Sequence, residues 1–294
     1  MACAEYRQTG EEPLKLVTYS RRGEEPRIGY LEDGRVRQMA DPGMSMLEFI
    51  EHGRDPGDRP AEDEALSLED VELHAPLGGA TRPPQKILGI GLNYRDHAEE
   101  TGAQLPEKPI VFAKYPNTIA ATGDAISIPP ITQQADYEAE LGVVIGRPAR
   151  GVSAGEALDH VFGYVNCNDV SSRDLQFSEG GQWTRSKSID TFFPIGPYIA
   201  TADEVPDPQA LSVRCVLNGE VMQDGNTSDM IFSVAELIAF LSEGMTLMPG
   251  DIISTGTPAG VGTARDPKVF LKDGDEVTVE IQGLGTLTNP VRAE

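Results

Sequence analysis

Positive charge is what this chain has least of: 24 Lys and Arg stand against 47 Asp and Glu in 294 residues, a formal net charge of −23. Such a surface repels nucleic acid and anionic membranes, so neither is an expected partner. Cysteine is scarce as well. Cys3, Cys167 and Cys215 are odd in number and lack CxxC spacing, which argues against a disulfide framework or a zinc cluster and fits a reducing cytoplasm. No apolar run approaches the length of a membrane span, and MACAEYRQTGEEPLK has no apolar core of the kind a secretory leader needs. The expectation is a soluble, untargeted, cytoplasmic protein.

What is present divides unequally. Residues 1–13 are polar and read as an N-terminal extension. Short half-apolar runs at 14–19, 27–31 and 35–39, with Asp33-Gly34 as a hairpin turn between the last two, predict a small β-rich domain over 14–81. Ser45 to His52 reads as a short helix closed by Gly53, and Asp55 to Glu64 as an acidic surface loop. The stretch Leu77 to Pro84 reads as a linker, so the larger domain is taken as 82–294. Within it, Lys86 to Leu92 predicts a buried strand, and Asn93 is expected to cap a helix from Tyr94 to Thr101. Capping boxes at Ser153/Glu156 and Ser233/Glu236 predict two further helices. Phe162 to Cys167 reads as a strand, Asp169 to Glu179 as a site loop, and Glu276 to Thr288 as a closing hairpin.

The chemistry centres on Asp136-Tyr137-Glu138-Ala139-Glu140-Leu141. On a strand, Glu138 and Glu140 project from one face, and two adjacent carboxylates away from water call for a proton or a cation. Asp169, just past a neighbouring strand, offers a third oxygen donor, and three carboxylates make a site for Mg²⁺ or Mn²⁺. By spacing alone solvated surface is the favoured reading of the same residues. His97 and Glu100 are three apart and meet on one helix side, as a general base with its orienting carboxylate or as a surface ion pair. Lys187 could stabilise an oxyanion or simply be solvated. The turn-rich loop Thr255-Gly256-Thr257-Pro258-Ala259-Gly260-Val261-Gly262 could hold a carboxylate on backbone NH groups. Gly89-x-Gly91 lacks the third glycine of a dinucleotide fingerprint, which argues against nicotinamide binding.

Taken in order, Lys86 to His97, Phe112-Ala113-Lys114, Asp136 to Leu141, Asn168 to Gln176, Lys187 and Thr255 to Pro258 closely resemble the fumarylacetoacetate hydrolase family. The resemblance implies an α+β fold, a mixed β-roll with few helices behind a small β-rich N-terminal domain, and a homodimer. It assigns the metal ligands to Glu138, Glu140 and Asp169, water activation to His97 and Glu100, and oxyanion stabilisation to Lys187. Arg173, Gln176, Thr257 and Lys114 match substrate-contacting positions. The implied substrate is a small 2-oxo or β-diketo acid, and the expected reaction is C–C hydrolysis of an acylpyruvate such as fumarylpyruvate. Oxaloacetate decarboxylation and isomerisation or dehydration of a 2-hydroxy-diene-dioate are the alternatives.

Overall fold

Seven consecutive buried residues, Ala139–Ile145, form the strand around which the larger sheet is ordered. The computed structural model describes residues 14–39, 43–53, 65–178 and 180–294, so the expectations for 1–13 and 55–64 lie outside the described residues. A strand covered on both faces reads as a continuous apolar run, and Glu140 is the one residue here that breaks it.

Among the described residues the larger sheet has twelve strands. Ala139–Ile145 pairs antiparallel with Val161–Asn168 on one side and Ile252–Ser254 on the other. Beyond the latter lie Ile87–Gly91, in parallel, and the edge strand Ile110–Lys114. On the opposite side come Phe193–Thr201 and then Lys15–Ser20, Arg27–Glu32 and Arg35–Gln38. A second, five-stranded sheet contains Glu276–Ile281 paired with Thr286–Ala293, as the closing hairpin predicted. Five α-helices complete the described residues: α1 Met46–His52, α2 Arg95–Glu100, α3 Arg173–Ser178, α4 Trp183–Lys187 and α5 Val234–Gly244. The architecture is the expected α+β arrangement of mixed sheets with few helices.

The N-terminal strands extend the main sheet, Leu16 pairing with Ile199. Leu16, Tyr30 and Phe49 share a core with Val144, Phe162 and Ile195. Among the described residues, sheet pairing and core packing thus continue across residue 82. The Asp33-Gly34 turn is as read, both residues having positive φ (51° and 72°).

Three local expectations need correction. Asn93 does not cap α2, because Tyr94 holds the N-cap position with no side-chain bond. The Asn93 amide instead donates to Thr255 O (2.8 Å) and Phe232 O (3.0 Å), tying the start of α2 to two distant loops. Ser153 and Glu156 do bond to each other (2.7 Å), yet only a 3₁₀ turn at Ala157–His160 follows, because the chain enters the strand Val161–Asn168 at once. Asp169 to Ser178 is not a plain loop: it contains the short strand Ser171–Ser172 and α3.

Candidate active site

Strand geometry puts the first two carboxylates together. Glu140 lies in the central strand, Glu138 just before it, and Asp169 N donates to Glu138 O (2.9 Å), which brings the third carboxylate alongside. Glu138, Glu140 and Asp169 each place an oxygen within 4.8 Å of the others, and all three are buried.

Buried charge on this scale must be compensated. Lys187 Nζ lies 2.6 Å from both Glu138 Oε2 and Asp169 Oδ2, and Lys114 Nζ lies 2.6 Å from Asp169 Oδ1. Arg173 forks between Glu138 Oε1 (2.6 Å) and Asp136 Oδ2 (2.9 Å). Burial alone would raise the Glu138 carboxyl, but Lys187 and Arg173 hold it far below the carboxylate range. Burial likewise works against the Lys187 ammonium, and Asp169 and Glu138 outweigh it, so its pKa is raised. Glu140 differs. Its Oε2 accepts from Ser254 Oγ (2.6 Å) and Gly256 N (2.9 Å), and no cation pairs with it among the described residues. Burial, followed by the charges of Asp169 and Glu138, raises its pKa. An all-oxygen donor set with one uncompensated carboxylate fits a hard divalent cation. The turn-rich loop does hold carboxylates on backbone NH groups, but they are the protein's own: Glu140 on Gly256 N, Glu100 on Gly260 N and Asp136 on Gly262 N.

His97 sits on α2 with only 8% of its surface exposed. Its Nδ1 meets Glu100 Oε1 at 2.7 Å, and Glu100 Oε2 accepts from Gly260 N at 2.8 Å. With Nδ1–H donating to the carboxylate, Nε2 is left as the free acceptor. His97, Glu138, Glu140, Arg173, Gln176, Lys187 and Thr257 line one cavity of about 350 Å³. The remainder of its wall is largely apolar, from Ile90, Leu92, Ala103, Ile110, Phe177 and Trp183.

Two residues expected at the substrate, Lys114 and Thr257, are already engaged within the protein. Lys114 is absent from the cavity wall; its ammonium is spent on Asp169 and on Val170 O (3.3 Å), so it supports a carboxylate rather than a ligand. Thr257 reaches the wall, but its hydroxyl donates to Ala139 O (2.9 Å) and accepts from Gln223 Nε2 (2.7 Å), so it has no proton left for a ligand. Asp169 is not itself wall; Lys187, which is, stands on its Oδ2.

Sequence reasoning missed several groups. Asp136, Gln223 and Ser254 position the acidic strand through partners far away in the chain. Trp183 stands in the cavity wall as well. The two glycines of Gly89-x-Gly91 have a steric purpose, since a Cβ would fall 2.1 Å from the Phe112 ring at Gly89 and 2.2 Å from the Trp183 ring at Gly91. Glycine beside a ring in a strand marks such a close approach.

The sequence pattern of the Fumarylacetoacetate (FAA) hydrolase C-terminal family matches residues 86–292. A mitochondrial oxaloacetate tautomerase of Xenopus laevis is 40% identical, across 95% of this chain and 90% of its own length. A solved fumarylacetoacetate hydrolase from psychrophilic Exiguobacterium antarcticum superposes with TM-score 0.84 at 39% identity, covering 96% of this chain and all (100%) of its own. A 2-hydroxyhepta-2,4-diene-1,7-dioate isomerase from Mycobacterium marinum gives 0.78 at 36% identity, covering 96% and 99%. With more than half its length matched by that pattern, the chain belongs to the fumarylacetoacetate hydrolase family.

Proposed function

We propose that this protein is a divalent-metal-dependent hydrolase that cleaves the C–C bond of an acylpyruvate. The observation that carries the reading is that His97, held by Glu100, lines the same cavity as Glu138, Glu140 and Lys187. A Mg²⁺ or Mn²⁺ ion held by Glu138, Glu140 and Asp169 would supply Lewis acidity toward the oxygens of a 2-oxo acid.

The chain's own groups account for the remainder. His97 Nε2 takes a proton from water, and Glu100 stabilises the imidazolium through Nδ1. The hydroxide adds to the distal carbonyl carbon, the C–C bond breaks, and the acyl group leaves as a carboxylic acid. Pyruvate departs as its enolate and recovers a proton at C3. Lys187 and Arg173 face the developing negative charge, and the apolar wall of Ile110, Phe177 and Trp183 limits water.

Charge favours a single carboxylate on the substrate. The buried Asp136, Glu138, Glu140 and Asp169 oppose Lys114, Arg173 and Lys187, leaving one negative charge, and a divalent ion would convert this to one positive. That suits acetylpyruvate better than a dicarboxylate.

A second reading, proton transfer on oxaloacetate, is favoured by the name of the Xenopus laevis relative, and the same base and cations would serve it. Assaying acetylpyruvate, fumarylpyruvate and oxaloacetate side by side with Mg²⁺ and Mn²⁺ tests both. Acetylpyruvate should be cleaved, and the activity should vanish with EDTA or in Glu138→Ala. Full activity without metal would end the proposal, and keto–enol interconversion of oxaloacetate without cleavage would install the second reading.

A further inference from the structure

Asp136 lies two residues before the first carboxylate of the triad and is wholly buried. Its carboxylate is shared between two parts of the site. Oδ2 accepts from Arg173 Nε (2.9 Å) and from Thr263 N (3.0 Å), while Oδ1 accepts from Gly262 N (2.8 Å). On one side, Arg173 then reaches Glu138 Oε1 (2.6 Å) and Gln176 Oε1 (3.0 Å). On the other, the loop carrying Gly262 and Thr263 also carries Gly260, whose N–H holds Glu100 Oε2. The neighbouring Tyr137 hydroxyl donates to Gly260 O (3.2 Å), so adjacent residues of the acidic stretch grip the loop at two points. Gly262 makes the approach possible, since a Cβ there would sit 2.7 Å from Asp136 Oδ1 and 1.7 Å from Val269 O.

We propose that Asp136 is a positioning residue that couples the two halves of the site, aiming Arg173 at Glu138 and fixing the 260–263 loop that orients Glu100 and, through it, His97. The inference rests on reading the acid triad and the His97–Glu100 pair as the working groups. Its physical basis is an acceptor count. Three donors converge on one carboxylate, and an amide of the same shape has one oxygen and a donor NH₂, so Asp136→Asn must abandon at least one of them. It also removes the charge that shares Arg173 with Glu138, leaving the guanidinium to draw harder on a carboxylate assigned to the metal. Partners that orient metal-binding groups typically carry about 10–100-fold in metal affinity or activity.

The experiment measures Mg²⁺ binding by calorimetry on the purified full chain, together with kcat/KM on acetylpyruvate. Asp136→Asn should bind Mg²⁺ about tenfold or more weakly, and kcat/KM should fall by about 10–100-fold. In a double-mutant cycle with Glu100→Gln, the combined loss in kcat/KM should be smaller than the product of the separate losses by about fivefold or more, because both changes release one loop. Unchanged Mg²⁺ affinity, or independent effects in the cycle, would overturn the coupling. If Asp136→Asn does not fold, Asp136→Glu keeps the charge and displaces it by one methylene; weakened Mg²⁺ binding supports the proposal and wild-type binding overturns it. Should the wild type cleave none of the acids, the functional reading fails on its own, while the Mg²⁺ titration still decides the role of Asp136.

Discussion

Lys114 and Asp169 form an ion pair, Nζ to Oδ1 2.6 Å, in which neither side chain touches solvent. Lys187 takes the other oxygen of the same carboxylate, so Asp169 stands between two ammonium groups. Breaking a buried pair from one side leaves an undercompensated charge, at roughly 3–5 kcal/mol. Lys114→Met should therefore lower stability by about 3 kcal/mol without metal. Saturating Mg²⁺ should recover more stability in the variant than in the wild type, because a cation at the triad replaces the lost charge. Urea melts with and without Mg²⁺ check this; equal Mg²⁺ gains in both proteins would show that Lys114 does not act through Asp169.

Lys187 competes with a metal more directly. Its ammonium lies on Glu138 Oε2 and Asp169 Oδ2, oxygens that a metal would also use. Lys187→Met removes a like charge from beside the cation, so Mg²⁺ should bind tighter by roughly tenfold or more even at a surface-like dielectric. Turnover should fall sharply in the same variant, since the proposed reaction relies on that charge to face the leaving enolate. Calorimetry and kcat separate the two effects. Weaker Mg²⁺ binding would mean that Lys187 organises the carboxylates rather than competing for them.

What the sequence made legible followed local periodicity. Alternation along a strand put Glu138 and Glu140 on one face, and helical spacing paired His97 with Glu100, because neither relation needs knowledge of another element. The rest depended on distant chain. The partners of Asp136, Arg173 and Gly262, lie 37 and 126 residues away, out of reach of any local pattern. Lys114 was expected at the substrate, yet its reach is decided by Asp169, 55 residues on. Asn93 has the chemistry of a cap and spends it on Thr255 and Phe232 instead, a tertiary choice that overrides a local one. Nor does any local pattern show that Lys15–Ser20 finds Phe193–Thr201 as its sheet neighbour.

The capping box of α5 gives a pH-dependent contribution with a defined sign. Glu236 Oε2 accepts from Ser233 Oγ (2.6 Å) and Ser233 N (2.8 Å), and these bonds lower its pKa below the ordinary 4.5. A carboxyl with a depressed folded value stabilises above its unfolded pKa and loses that contribution as pH falls through the folded one. Ser233→Ala should cost about 1 kcal/mol at neutral pH. The gap to the wild type should narrow below pH 4.5, as Glu236 protonates in both proteins. Denaturant melts at pH 7 and in mild acid test this, and a gap that widens in acid would contradict it.

Gly91 and Trp183 offer an optical test of the cavity wall. Trp183 is the chain's 1 tryptophan, and its ring packs against Phe112 with centroids 5.6 Å apart. The Phe112 ring in turn lies 4.7 Å from the Lys187 ammonium. A Cβ at Gly91 would come within 2.2 Å of the Trp183 ring, so Gly91→Ala must push the indole aside and disturb the stack that flanks Lys187. The displaced indole should gain water contact and shift its emission to the red. Misplacing a flanking group by about 1 Å can cost on the order of 10²-fold in rate, so kcat/KM should drop substantially. Red-shifted emission with full activity would show that the stack is mere packing, whereas coupled loss of activity and shielding would assign it to the site.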